Sequence, residues 1–492
     1  MRLLLDTNVL IALEDAQHPF AAAVAPLSRL AQKHSLTLTL HDRTLDDFER
    51  DSDDDRRMRS LWSTTKYPKI DQPPSATDQF IGASGGVSSD NDRVDVDLLY
   101  AIDQNCADAL VTEDRRLRSR AERVGLDEQV YFIEQAVEWL TTLYGEHDAP
   151  PLPQVEDVSL HNIDLANSFF DSLREGYTGF DEWFERVARR GRRAWIVRAD
   201  DQIDAICIYH LEEPEGARSF KLCTLKVGEN SRGRHLGELL LHRAFDYCTK
   251  NECNDTFVEV QAEQEFLVGF LREFGFAPDG HKDNAPAELV YRKRFRPLPD
   301  TLVGDALAYH IAWAPAYATS GVKKFCIPIE PGYHGRLFPD APAIPAAPDQ
   351  TMLDLTAYAA ASAEGNGIRK AYLSHSGITR VGVGDLVLFY RSHDASAITT
   401  LGIVEKVERF QQGEAAKLAA FVGKRTVYSL QEIEVLAAKS VLAILFRQIE
   451  HLQVPVPLSK WQELGGTAPQ SITSVSDDQF DRIMELSRAD PH

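Results

Sequence analysis

Three things are scarce in these 492 residues. No run of about 18 apolar residues occurs, so no membrane-spanning helix is expected. The six cysteines, at 106, 207, 223, 248, 253 and 326, form no Cys-x-x-Cys pair. That argues against a zinc site or a disulfide framework and for reduced, buried thiols. Positive charge is outnumbered: 53 Lys and Arg against 75 Asp and Glu leave a net charge of −22. A protein that coats nucleic acid nonspecifically is thereby excluded. The N-terminus enters a strand at once, without a basic n-region or a small-residue cleavage site, so a cytoplasmic location is expected. No fixed-period repeat is visible.

What is present is an ordinary globular composition, 43% hydrophobic and 26% charged, on a chain long enough for about three domains. Two proline-rich breaks, HDAPPLPQ at 147–154 and FRPLPDT at 295–301, stop both helix and sheet. They predict domains over 1–146, 155–297 and 301–492. Lys and Arg minus Asp and Glu gives 16 − 28 = −12 for residues 1–150, 20 − 26 = −6 for 151–297 and 17 − 21 = −4 for 298–492. The acidity is concentrated in the first segment. A polar Gly/Ser-rich stretch at 71–93 and a Pro/Ala-rich one at 338–350 read as loops.

In the first segment LLLDTNVLI (3–11) and ALVTEDRRL (109–117) are apolar strands that end by delivering Asp6 and Asp114. Strand ends in a parallel sheet share one edge, where α/β folds place their sites. Carboxylates gathered there can hold Mg²⁺ or Mn²⁺. Both strings resemble the first and last acidic motifs of the PIN-domain nucleases. The resemblance implies that Asp47 takes the place of a glutamate, that Asp95 or alternatively Asp97 is the third acid, and that Asp114 is the fourth. It also implies metal-dependent RNA cleavage, with Asn8 and Thr112 orienting the ligands. Arg115, Arg116, Arg118 and Arg120, directly after Asp114, would hold the RNA backbone.

In the second segment the strand FKLCTLKV (220–227) leads into GENSRGRHLGELLLHRAFDYC, whose Gly-rich turn opens a helix. Such a turn aims backbone N–H groups and the helix dipole at one anion. With FVEVQ (257–261) and FLREFGF (270–276) it resembles the acyl-CoA site of the GNAT acyltransferases. The resemblance implies acetyl-CoA held by Leu225, Val227, Arg232, Gly233, Arg234, His235, Leu236 and Gly237. His235 stands where the family has glycine, and Leu271 where a tyrosine commonly protonates the leaving thiolate. Glu259 is the candidate base.

The last segment turns β-rich. GVGDLVLFYRS (382–392), TTLGIVEKVERF (399–410) and the closing TAPQSITSVSDDQFDRIMEL resemble PUA-like domains of the ASCH or EVE type, which bind RNA or modified bases. Tyr372, Ser374, His375, Ser376, Tyr390 and Arg391 are its candidate base-reading residues.

The fold class expected is thus α/β multidomain: a PIN-like parallel sheet, a GNAT-like α+β domain and a PUA-like small β-barrel. The function expected is a divalent-metal-dependent ribonuclease joined to an acetyl-CoA-dependent N-acetyltransferase. The alternative is an N-acetyltransferase whose PIN-like domain binds RNA or scaffolds without cutting. The RNA, with tRNA among the candidates, the accepting amine and whether the chain forms a homo-oligomer stay open.

Overall fold

The computed structural model describes residues 1–15, 17–34, 36–44, 48, 57, 63–70, 73–144, 155–199, 202–213, 217–228, 235–261, 264–282, 285–297, 304–342, 365 and 367–488. The chain divides into two units, Met1–Glu146 with Arg409–Ala443, and His147–Glu408 with Ile444–His492.

The first unit holds a four-stranded sheet in the order β2-β1-β3-β4, all neighbours parallel. Its strands are β1 (Arg2–Leu5), β2 (Thr37–Thr39), β3 (Ala109–Val111) and β4 (Val130–Tyr131). Among the described helices, α1 (Thr7–Glu14), α2 (Ala21–Lys33), α3 (Asp78–Ala83), α4 (Asp90–Asp103), α5 (Arg115–Arg123) and α6 (Ile133–Tyr144) alternate with them. Leu3, Leu4, Leu5, Leu110 and Val111 are all buried, which is why these strands are continuous apolar runs rather than alternating ones. Leu4 and Leu110 pack with Leu98 and Leu99 of α4 and Leu117 of α5. The stretch expected as a loop at 71–93 contains α3 and the start of α4. Thr77 and Ser89 supply the side-chain caps that begin those helices.

The second unit begins with β5 (Val155–Ser159), α7 (Asp171–Gly176), α8 (Phe180–Arg189), β6 (Arg193–Ala199), β7 (Gln202–Glu212), β8 (Ser219–Val227), α9 (Leu236–Lys250), β9 (Asp255–Gln261), α10 (Glu265–Glu273), β10 (Ala277–Lys282) and β11 (Ala285–Arg294). These strands form one sheet in the order β10-β11-β9-β8-β7-β6-β5. Every neighbour is antiparallel except β8 and β9, which run parallel. Leu222, Leu240, Ala244 and Leu271 pack on one face of the sheet, and Phe170, Phe184, Ile206 and Ile208 on the other.

The chain continues through α11 (Ala306–Trp313), β12 (Lys324–Ile329), α12 (Pro331–Leu337), β13 (Arg369–Ser374), β14 (Leu386–Arg391) and β15 (Ala397–Phe410). Two helices, α13 (Ala415–Val422) and α14 (Leu430–Leu436), follow and belong to the first unit. There Arg425 Nε meets Glu128 Oε1 at 2.9 Å with both side chains buried. Gly423, at φ +49°, has its Cα so near Glu128 O that a Cβ would lie 2.8 Å from it. The residues 409–443, inside the last segment by sequence, thus complete the core of the first unit. The chain then closes with β16 (Val441–Pro457), α15 (Leu458–Glu463), β17 (Thr473–Val475) and α16 (Asp477–Arg488). The C-terminal strands make a six-stranded mixed sheet in the order β13-β16-β15-β14-β12-β17.

Candidate functional site

In the first unit β1 and β3 are adjacent and in register, Leu5 opposite Val111, so the residues just beyond them share one edge. Asp6 caps α1, its Oδ1 accepting from Thr7 N at 2.7 Å. Its Oδ2 accepts from Asn8 Nδ2 at 2.6 Å and from Thr112 Oγ1 at 2.5 Å. Thr112 Oγ1 in turn accepts from Asp114 N at 2.9 Å, and Asn8 Oδ1 from Glu113 N at 3.0 Å. The two strand-end strings are therefore tied together by the side chains expected to orient them. Asp114 caps α5, its Oδ1 taking the N–H groups of Arg116 and Leu117 at 2.6 and 3.3 Å.

The two alternatives for the third acid face different ways. Residues two apart on a helix point about 200° apart, so Asp95 and Asp97 cannot share a face. Asp97 is 1% exposed and turned inward: it accepts from Ala76 N at 3.2 Å and pairs with Arg93 and Arg43 at 3.1 and 3.2 Å. It is structural, and its expected catalytic role is withdrawn. Asp95 faces the other way. Burial, then the neighbouring charges of Asp114 and Asp6, push its carboxyl up to about 7, while Arg120 at 3.8 Å offsets only part of this. Asp47 lies outside the described residues. Among the described residues no three His, Cys, Asp or Glu side chains stand close enough to enclose a metal. The donor set still suits a hard cation: Mg²⁺ keeps several waters and needs only one or two carboxylates directly. Such a cation would relieve the part of the rise that comes from Asp114 and Asp6.

The arginine run after Asp114 divides. Arg115 and Arg116 are exposed. Arg118 is buried and donates to Val130 O and Gln135 Oε1. Arg120 pairs with Asp92 at 2.6 Å and donates to Gly86 O at 2.7 Å, holding the turn before α4. Those two arginines serve packing and not an RNA backbone.

In the second unit the parallel pairing of β8 with β9 ends at Leu222↔Val258. Beyond that point β8 follows β7 to Val227 and β9 follows β11 to Gln261, so the two strands part. A bulge at Cys223, between the pairs Tyr209↔Leu222 and Ile208↔Thr224, shifts the side-chain alternation. Leu225 and Val227 consequently turn to the same core as Phe220 and Leu222. The next described residue after Gly228 is His235, which opens α9; Arg232, Gly233 and Arg234 lie outside the described residues. His235 is in the left-handed region, φ +54°, which favours glycine. Its ring folds back onto the helix, Nδ1 3.3 Å from Glu238 Oε1. At Gly237 a Cβ would come 3.2 Å from Phe270 Cζ of α10, so the first turn of α9 stays bare of side chain there. A strand gap leading to an uncluttered helix N-terminus fits an extended thioester carrying a pyrophosphate.

Two expectations at this site change. Glu259 has both carboxyl oxygens paired, with Lys221 at 2.5 Å and Lys282 at 3.1 Å. Burial would raise its carboxyl, but the two lysines outweigh that and lower it, which makes it a poor base. Leu271 is fully buried in the core. The hydroxyl beside the parted end of β9 is Tyr177, missed from sequence, which donates to Gln264 Oε1 at 3.1 Å while Gln261 Nε2 donates to Gly176 O at 3.3 Å. Burial raises its phenol, so it stays protonated.

In the C-terminal sheet the proposed base-reading set disperses. Tyr372 is buried and donates to Pro328 O at 2.7 Å, and Tyr390 lies in the core with Leu388 and Trp461. Arg391 pairs with Asp394 (Nε to Oδ1, 2.9 Å), Ser374 Oγ accepts from Ser376 N at 3.1 Å, and Ser376 Oγ meets Ser471 Oγ at 2.9 Å. His375 alone of the six is exposed. Burial runs continuously through both strands and leaves neither tyrosine ring open as a stacking platform. What sequence reading did not find is a chain of polar groups inside this sheet. Asp340 Oδ1 meets His451 Nε2 at 3.1 Å, and His451 Nδ1 lies 3.0 Å from Thr400 Oγ1; Thr399 Oγ1 is 2.8 Å from His334 Nε2.

No helix among the described residues is long and apolar enough to cross a membrane. No curated protein sequence matches the chain. Similar solved structures include ASCH from Zymomonas mobilis (14% identity, 33% of this chain and 95% of that one, TM-score 0.24). Others are Arabidopsis thaliana Naa50 in complex with a bisubstrate analogue (22%, 29% and 99%, TM-score 0.23) and ribosomal-protein-alanine N-acetyltransferase from Brucella melitensis (16%, 29% and 99%, TM-score 0.24). Residues 159–276 match the model of the acetyltransferase (GNAT) family, and this stretch is the chain's GNAT acetyltransferase domain.

Proposed function

We propose that the chain transfers the acetyl group of acetyl-CoA to an amine, at the gap where β8 and β9 part. The single observation that carries this reading is that the parallel pairing of β8 and β9 stops at Leu222↔Val258 and the two strands part beyond it. The thioester would lie along Leu225 and Val227, and its pyrophosphate against the turn from Arg232 to Gly237. Tyr177 is the group we assign to protonate the leaving thiolate, in place of Leu271. Incubation with acetyl-CoA and a panel of peptide amines, polyamines and tRNA, with free thiol as the readout, tests it. Release that depends on an amine, and is lost in Gly237→Val, supports transfer; no release with any acceptor contradicts it.

The charge surplus at Asp95 favours a second reading for the first unit. Asp6, Asp95 and Asp114 would hold Mg²⁺ or Mn²⁺ for hydrolysis of RNA, the metal activating water and stabilising the leaving oxygen. Arg115 and Arg116 would meet the RNA backbone, and the segments 1–146, 155–297 and 301–492 would be a nuclease, an acetyltransferase and an RNA-selecting module. Cleavage of total tRNA with Mn²⁺, lost in Asp6→Asn and Asp114→Asn, is the expected result. Cleavage unchanged in both variants removes this reading and leaves the first unit as a binding or scaffolding module.

A further inference from the structure

Glu238 is the third residue of α9, in the turn that would receive the pyrophosphate, and its side chain is 3% exposed. An uncompensated carboxylate there would repel that anion with little solvent to screen it. It is compensated by His235, whose Nδ1 lies 3.3 Å from Oε1, and above all by one segment of the C-terminal sheet. Glu238 Oε2 accepts from Ile368 N at 3.0 Å and Arg369 N at 3.2 Å. Glu238 Oε1 accepts from Arg369 Nε at 3.0 Å and Nη2 at 2.7 Å. Arg369 Nη1 also reaches Glu273 Oε2, at the end of α10, at 2.5 Å. The same guanidinium thus spans the start of one helix and the end of the other, over the ring of Phe274. Arg447 of β16 adds a bond to Glu273 O at 2.8 Å.

We propose that Arg369 is a positioning residue of the acyl-CoA site: by neutralising Glu238 and bridging α9 to α10 it leaves the first turn of α9 able to accept a pyrophosphate. The C-terminal sheet is then part of the acetyltransferase. This rests on the acyl-CoA reading above. Neutralisation has a consequence that a packing role alone lacks: the defect caused by losing Arg369 comes from the charge on Glu238, so removing that charge repairs it.

The test is calorimetric binding of CoA, and of pantetheine, which lacks the pyrophosphate, to the full chain, with melting of the unliganded protein as the control for folding. Arg369→Ala is expected to weaken CoA by about tenfold or more and pantetheine by less than about twofold. Arg369→Lys, which keeps charge but not the fork, falls between. Glu238→Gln/Arg369→Ala returns CoA binding to within about threefold of wild type. The proposal is overturned if Arg369→Ala and Arg369→Lys bind CoA as wild type does, if pantetheine weakens as much as CoA, or if the double variant binds no better than Arg369→Ala. Wild-type protein that binds no CoA overturns instead the acyl-CoA reading beneath it.

Discussion

Asp95 feels the charges of Asp114 and Asp6, with Arg120 3.8 Å away; Glu238 takes five hydrogen bonds, two of them from one guanidinium and one from His235. Both carboxyls are substantially buried, and burial raises both. At Asp95 the neighbours add to the rise, to about 7; at Glu238 Arg369 and His235 reverse it and hold the group well below the carboxylate range. The difference is where the counter-charge comes from. The second unit supplies its own cation, so Glu238 is part of a finished structure. At Asp95 burial and the charges of Asp114 and Asp6 outweigh Arg120, and a cation from solution would relieve the part that comes from those two carboxylates.

The comparison breaks first at Arg369. Arg369→Ala leaves the buried Glu238 carboxylate without its guanidinium, with only His235 and two backbone N–H groups, and is expected to destabilise the second unit by about 3 kcal/mol, read as the urea midpoint of its transition. Unchanged stability would mean the pair is not the internal cation described. Next, Asp6→Asn and Asp114→Asn are each expected to lower Mn²⁺-dependent RNA cleavage by about 100-fold or more, while melting in the absence of metal changes little. Asp97→Ala should do the reverse. With Ala76 N, Arg93 and Arg43 losing their acceptor, about 2 kcal/mol of stability goes and any Mn²⁺ affinity stays. A loss of Mn²⁺ affinity in Asp97→Ala would reassign the third acid.

Smaller but more specific is Asp95→Asn. The unfolded chain releases the Asp95 proton near its ordinary value of 3.8 and the folded chain near 7, so across that window the unfolded state holds fewer protons and stability falls as pH rises. Asp95→Asn removes that loss: it should raise stability by about 1–2 kcal/mol at pH 8 and leave it unchanged at pH 4. A variant less stable than wild type at pH 8 would show that Asp95 is satisfied by the protein.

That Asp6 and Asp114 come to one edge was legible because Asp6 follows β1 directly and Asp114 lies three residues after β3, and a parallel register brings strand ends together whatever the rest does. The choice between Asp95 and Asp97 was not, since a helix in isolation does not say which face meets the sheet edge. The basic run at 115–120 looked uniform in sequence. Helical turning exposes Arg115 and Arg116 and buries Arg118 and Arg120. In the second unit the strand ending at Val227 and the helix that opens at Leu236 were readable because both patterns are local. Arg369 was invisible there: it is 131 residues from Glu238, and no periodicity links them. Tyr372 and Tyr390 misled for a related reason, because a strand tyrosine reads alike whether its ring faces solvent or core.

The most direct measurement of the central contrast is calorimetric titration of the full chain with Mn²⁺ at pH 7 in buffers of different ionisation enthalpy. With the Asp95 carboxyl near 7, binding should release roughly half a proton per ion at pH 7, rising toward about one at pH 5.5, and Asp95→Asn should abolish the release. Binding heats that are independent of buffer, a release that survives in Asp95→Asn, or no binding at all would contradict the account.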